Sequence, residues 1–126
     1  MKTYRLHWTD STKQDLAEIV GYLTEKTGSY AQARRFVIHL RDEIKHLCVN
    51  PHHQIIDESP FREAGLRRYT IKNYVAYYLV DEGRSLVVVL AVLYGGQFWQ
   101  RLLPERMRAW PSRRQRTLVR VTARIR

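Results

Sequence analysis

Leu86 to Leu93 reads Leu-Val-Val-Val-Leu-Ala-Val-Leu, eight positions without a polar residue. A strand wetted on one face alternates apolar with polar residues, so this unbroken run describes a strand covered on both faces. The uncharged stretch around it runs from Arg84 to Arg101 but is broken by Gly95-Gly96. It falls short of the roughly 20 apolar residues that a membrane-spanning helix needs. The chain is therefore expected to be soluble and to fold around this central strand. Helices elsewhere can cover one face, leaving the other to a partner or to the chain's own C-terminal segment.

The remaining elements follow in order. Tyr4-Arg5-Leu6-His7-Trp8 alternates with period two and predicts a short first strand, with Tyr4, Leu6 and Trp8 on one face and His7 on the other. Thr9-Asp10-Ser11-Thr12 offers N-cap residues, after which Leu16, Ile19, Val20 and Leu23 take helical spacing up to Gly28. Ser29 and Gln32 form a capping-box pair for a second helix with an apolar stripe from Ala33 to Cys48, stopped by Asn50-Pro51. The Gly-Ser hinge predicts an antiparallel helical hairpin. Residues 52–65 read as a surface connection long enough to be mobile. Leu66–Ile71 and Tyr74–Val80 predict two strands joined at Lys72-Asn73, and Asp81–Arg84 a loop into the central strand. Gln97–Leu103 suits a last short helical turn. The fold class expected is α+β, a β-α-α-β-β-β order with a short C-terminal helix and a basic tail.

A chain of 126 residues is one small domain, here expected over residues 1–103 with an Arg-rich extension over 104–126. Residues 104–126 hold eight Arg against one Glu, a net +7 that leaves only +3 of the total +10 for the rest. Such charge favours anionic partners. Deleting the extension is expected to lower salt-sensitive retention on polyanions. Its end, Val119 to Arg126, alternates apolar with basic residues and suits an edge strand, a segment ordered by a partner or a frayed tail. Cys48 is the only cysteine, which excludes internal disulfides and thiolate clusters and fits a reducing cytoplasm; it is read as a small core hydrophobe. His52 and His53 diverge as neighbours and lack a second ligand pair at zinc spacing, so neither a metal nor a cofactor is implied.

In this order, particular residues resemble the RelE/ParE superfamily of type II toxin-antitoxin toxins. They are Asp15-Leu16-Ala17-Glu18-Ile19-Val20-Gly21-Tyr22, Ala33-Arg34-Arg35-Phe36, Leu47 to Pro51, Gly65-Leu66-Arg67-Arg68, Tyr74-Val75-Ala76-Tyr77-Tyr78 and Val88 to Tyr94. The likeness covers residues 2–103, and its long hairpin and Leu-Arg-Arg opening of the sheet favour the ParE branch. It implies a cytoplasmic toxin of the plasmid-stabilising kind, without catalysis of its own, that poisons DNA gyrase and is held in a hetero-oligomer by a cognate antitoxin. The RelE branch instead implies a ribosome-dependent endoribonuclease acting on mRNA, and a third possibility is a non-toxic relative that only binds a partner.

A nuclease needs a base, an acid and cations for the phosphorane. Arg67 and Arg68 offer the cations, although strand neighbours face opposite ways. Tyr94 stands where many relatives carry a His, and an ordinary tyrosine pKa near 10 suits a base poorly. Neither Glu58 nor Glu63 is spaced to replace it. The tyrosines of the sheet read as half-buried structural residues or as a stacking surface for bases. For the antitoxin, the expected surface is the uncovered sheet face formed by Leu86, Val88, Leu90, Val92 and Tyr77.

Overall fold

The computed structural model of the chain describes residues 2–110. It runs β1 (Arg5–Trp8), α1 (Asp10–Thr27), α2 (Tyr30–Ile44), a 3-10 turn (Lys45–Cys48), the single turn α3 (Phe61–Ala64), β2 (Arg67–Ile71), β3 (Tyr74–Asp81), β4 (Leu86–Tyr94) and α4 (Trp99–Ala109). The four strands form one sheet in the order β1-β4-β3-β2. Its outer strand β1 is parallel to β4, and the other pairs are antiparallel. The edge strands β1 and β2 also run parallel, and the helical hairpin lies in the long crossover between them. The architecture is the expected α+β one, with the apolar run as an inner strand.

Local chemistry sets the hairpin. Thr9 caps α1 by accepting from the Thr12 N–H, and Gly28 ends it in the left-handed region at φ 73°, its N–H returning to Thr24 O. Ser29 caps α2 by accepting from the Gln32 N–H. Ala33, Val37, Leu40 and Ile44 are the buried stripe of α2. Val37, Leu40 and Ile44 pack with Leu16 and Ile19 of α1 against Val87, Val89, Tyr74, Ala76 and Tyr78 of the sheet. Leu40 and Ile44 retain no exposed surface. Cys48 lies beside this core, half-buried, and burial pushes its thiol up against the opposing pull of Lys45. It is thus a partly exposed residue of the 3-10 turn, where the spacing had placed it in the stripe.

One irregularity locks helix to sheet. Tyr77 pairs with Ala91 but Tyr78 pairs with Val89, so Leu90 is an extra residue in β4. This is a β-bulge, and it shifts side-chain alternation by one. Val87, Val89 and Val92 consequently share the hairpin face. Pairing with β1 ends at Val89, and the edge of β4 beyond it needs other partners. Val89 O accepts from Thr12 Oγ1 at 2.7 Å and Thr9 Oγ1 at 3.1 Å. The Val92 N–H donates to Asp15 Oδ2 at 3.0 Å. The first turns of α1 therefore take the place of a strand along this edge.

The connection over residues 52–65 is pinned by specific bonds. Ile55 bridges to Arg67, the Ile56 N–H donates to Leu66 O at 2.9 Å and the Arg68 N–H to Gln54 O at 2.9 Å. Ile56 and Phe61 are buried. Tyr78 Oη donates to Pro51 O at 2.6 Å and accepts from the His53 N–H at 3.2 Å. Burial pushes that phenol up to about 12, against the pull of the His53 N–H and Arg67. A polar, Pro- and Gly-punctuated segment predicts a free loop; two apolar residues and one buried tyrosine convert it into part of the body.

The first compact unit closes at Gly96. In the second, α4 continues past Leu103 and through Pro104 to Ala109, longer than the single turn expected. Proline forfeits one helical hydrogen bond, and the remaining turns still form. The alternating segment from Val119 to Arg126 lies outside the described residues.

Candidate functional site

Arg67, Arg68 and Tyr94, the residues a nuclease would recruit, occupy different parts of the sheet. Arg67 and Arg68 open β2 opposite Tyr78 and Tyr77. Tyr94 lies at the far end, level with Tyr74 and hence with Ile71. Four residues of strand separate Arg67 from Ile71, about 13 Å, and two strand spacings add about 10 Å sideways. The backbones of Arg67 and Tyr94 are thus about 16 Å apart. Alternation also sends Arg68 to the face opposite Tyr94. Arg67 is occupied, its Nη1 donating to His53 O at 2.6 Å. Arg68 sits beside Tyr77, whose phenol burial raises and the guanidinium lowers. Tyr94 is exposed and meets Tyr74 edge-on at 5.4 Å. The three residues do not converge on one reacting centre.

The sheet residues expected to receive an antitoxin are buried. Tyr77, Val88 and Leu90 have no accessible surface, Val92 has 2% and Leu86 has 8%. Val92 also belongs to the hairpin core, because the bulge at Leu90 reverses its facing. The expected antitoxin surface along β4 thus consists of positions that are buried in this structure.

Open apolar surface is found instead on the outside of the hairpin. A cleft of about 440 Å³ is lined by Trp8 of β1, by Lys13, Leu16, Ala17 and Val20 of α1, and by Tyr30, Arg34, Val37, Ile38 and Arg41 of α2. Leu16 and Val37 form a nearly buried floor, while Tyr30 is 61% and Ile38 42% exposed. Arg41 lies over the Trp8 ring at 5.2 Å, a cation–π contact that holds both against the wall. No acidic residue lines the cleft. Sequence reasoning used Leu16, Val20 and Val37 as core positions and missed this site. The available signal was cationic residues at helical spacing beside that core, with Lys13 at i and Leu16, Ala17 and Val20 at i+3, i+4 and i+7.

A second cluster joins three separate segments. Glu82 accepts from Tyr4 Oη at 2.8 Å and Lys2 Nζ at 3.3 Å, and pairs with His52 Nε2 at 2.8 Å. His52 foremost, then Tyr4 and Lys2, hold its carboxyl well below the usual range, at about 2. His53 points elsewhere, its ring 4.5 Å from that of Tyr69. Among the described residues no group of three or more His, Cys, Asp and Glu could hold a metal. None of the described helices is long and apolar enough to cross a membrane.

Solved structures share this fold. A chain of the chromosomal ParDE toxin-antitoxin system from P. aeruginosa superposes with TM-score 0.61 at 22% identity, covering 73% of this chain and 96% of that one. The RelBE2 toxin-antitoxin complex of Mycobacterium tuberculosis gives 0.50 at 19% identity over 75% and 93%. A variant of E. coli RelE in the free state gives 0.53 at 12% identity over 86% and 98%. No curated protein sequence matches the chain significantly. The family model for the ParE toxin of the type II toxin-antitoxin system parDE matches residues 6–99. That span takes in the parallel β1–β4 pair, the helical hairpin that follows β1 and the β2–β3 ladder, and on it the chain belongs to the ParE toxin family within the RelE/ParE superfamily.

Proposed function

We propose that this toxin acts on DNA gyrase through a protein surface, without chemistry of its own, and is kept silent in the cytoplasm by a cognate antitoxin. Membership of the ParE family supports the gyrase target, as the resemblance implied. The observation that carries the choice against RNA cleavage is the separation of Arg67 and Arg68 from Tyr94 along and across the sheet. General acid–base catalysis needs groups within hydrogen-bond reach of one reacting atom. The antitoxin partner is supported by the ParDE and RelBE2 neighbours, whose own descriptions name toxin-antitoxin systems.

Controlled induction in cells tests the reading. The SOS response with broken DNA is the expected outcome, and Arg67→Ala or Tyr94→Phe should leave the toxicity intact. Rapid collapse of translation with cut transcripts, abolished by those substitutions, would replace the gyrase reading with ribosome-dependent mRNA cleavage. Unaffected growth would leave a binding protein without toxicity.

A further inference from the structure

Three tyrosines from three elements meet at one end of the sheet, on the face that carries the hairpin. Tyr74 opens β3 and is 5% exposed, packed against the Phe36 ring of α2 at 5.6 Å. Its cross-strand partner Tyr94 closes β4 and meets it at 5.4 Å, with the rings 75° apart. From α1, Tyr22 stands close enough to act on the same group: burial foremost, then Tyr22 and Tyr94, push the Tyr74 phenol up. Tyr22 and Tyr94 are each 56% exposed. An edge-to-face contact uses at most one face of a ring, so Tyr94 keeps at least one face for another aromatic group.

Cations stand beside these rings. Lys26 Nζ lies 5.8 Å from the centre of the Tyr22 ring, one turn along α1. Lys72 is exposed in the β2–β3 turn. The Gly95 N–H donates to Asn73 O at 2.6 Å, which holds that turn against the residue after Tyr94. The surface thus combines flat aromatic faces with ammonium groups at their margin, and none of the three rings lines the outer cleft of the hairpin.

We propose that Tyr22 and Tyr94, set around Tyr74, stack unpaired bases of a single-stranded nucleic acid while Lys26 and Lys72 meet its phosphates. Every base has a π-face and every nucleotide a phosphate, so such a surface binds with little regard to sequence. A duplex keeps its base faces inside its own stack. A proline-rich peptide stacks on tyrosine but brings no charge to the lysines, and an acidic peptide brings charge without flat rings. The net charge of +10 adds attraction for a polyanion. No bond is made or broken in this binding, and Arg67, whose backbone lies about 16 Å from that of Tyr94, takes no part in it. The inference is independent of the gyrase reading, and toxicity is not its readout.

The test uses the full chain with labelled thymidine and uridine strands of about 12 nucleotides, an abasic strand carrying the same phosphates, and a duplex. Fluorescence anisotropy should show the base-bearing strands binding about tenfold tighter than the abasic one. Tyr22→Ala and Tyr94→Ala should each lower affinity for the base-bearing strands about tenfold, and leave the abasic strand and the duplex unchanged, since those report phosphate contacts alone. Tyr94→Phe keeps the ring and should bind like the parent. Lys26→Gln should make the fall of log K with log salt shallower by about 0.7. Aromatic proton resonances of Tyr22 and Tyr94 should move upfield on titration. Both rings are exposed, and unchanged thermal melting verifies that the variants fold; Tyr22→Ala carries the test if Tyr94→Ala melts early. Binding of either base-bearing strand supports the site, and the tighter of the two identifies DNA or RNA as its source.

An abasic strand bound as tightly as the base-bearing ones, Ala variants at both rings that bind like the parent, or a Phe variant as damaged as the Ala one would overturn the proposal. So would upfield shifts confined to other tyrosines, or a proline-rich peptide that moves the Tyr22 and Tyr94 resonances and resists displacement by the oligonucleotide.

Discussion

Replacing Asp15 by Ala should weaken the fold more than removal of any other carboxylate among the described residues. Asp15 is 7% exposed and Val92, whose N–H it accepts at 3.0 Å, is 2% exposed. Water therefore cannot readily substitute for the lost oxygen. A hydrogen bond to a charged group contributes about 1.5–3 kcal/mol, and a buried N–H left unpaired costs about 1–3 kcal/mol, two descriptions of largely the same loss. The expected penalty is about 2–3 kcal/mol, a substantial part of the 5–15 kcal/mol typical of a domain. For a unit of this size it corresponds to a fall in Tm of about 10–15 °C. Asp15→Asn retains an acceptor oxygen and should lose only about 1 kcal/mol. Thr12→Val should also lose about 1 kcal/mol, because Val89 O keeps its bond to Thr9 Oγ1. Urea unfolding of the full chain, followed by far-UV circular dichroism, measures all three. An Ala variant within about 0.5 kcal/mol of the parent, or an Asn variant as damaged as the Ala one, would refute the role given to this bond.

Other perturbations probe other parts. Leu40→Ala, in the floor of the hairpin core and without exposed surface, should cost about 2–5 kcal/mol in the same unfolding assay. Lys72 sits at φ 55° in the β2–β3 turn, a left-handed conformation that costs a residue with a Cβ roughly 1 kcal/mol. Lys72→Gly should raise the urea midpoint slightly, and a lowered midpoint would contradict that account. Glu82, held at about 2 by His52, Tyr4 and Lys2, titrates below its unfolded value of about 4.3. Its contribution is therefore present above about pH 4.3 and lost as pH falls through about 2. Between pH 5 and pH 2 the parent should lose more stability than Glu82→Gln, and parallel losses would show that the cluster contributes nothing measurable.

What the residues declare locally was legible from their order. Thr9, Ser29 and Gly28 act where their side chains or their lack of one satisfy helix ends, and period-two and helical spacing place the strands and hairpin. Those are short-range effects of sterics and hydrogen bonding. The apolar run from Leu86 to Leu93 likewise announced an inner strand, because burial on both faces leaves no reason for a polar residue.

Which groups meet across the sheet was decided only by tertiary pairing. Leu90 looks like any other residue of the run, yet as the bulge it turns Val92 toward the hairpin, while Asp15 and Thr12 take up the edge of β4 left by β1. Register places Arg67 and Arg68 far from Tyr94, a separation that residue identity cannot reveal. The cleft between Trp8, Lys13, Arg34 and Arg41 combines a strand end with two helices. A one-dimensional pattern records which face of each element is apolar; only the packed chain determines which of those faces is already covered and which still offers surface to a partner.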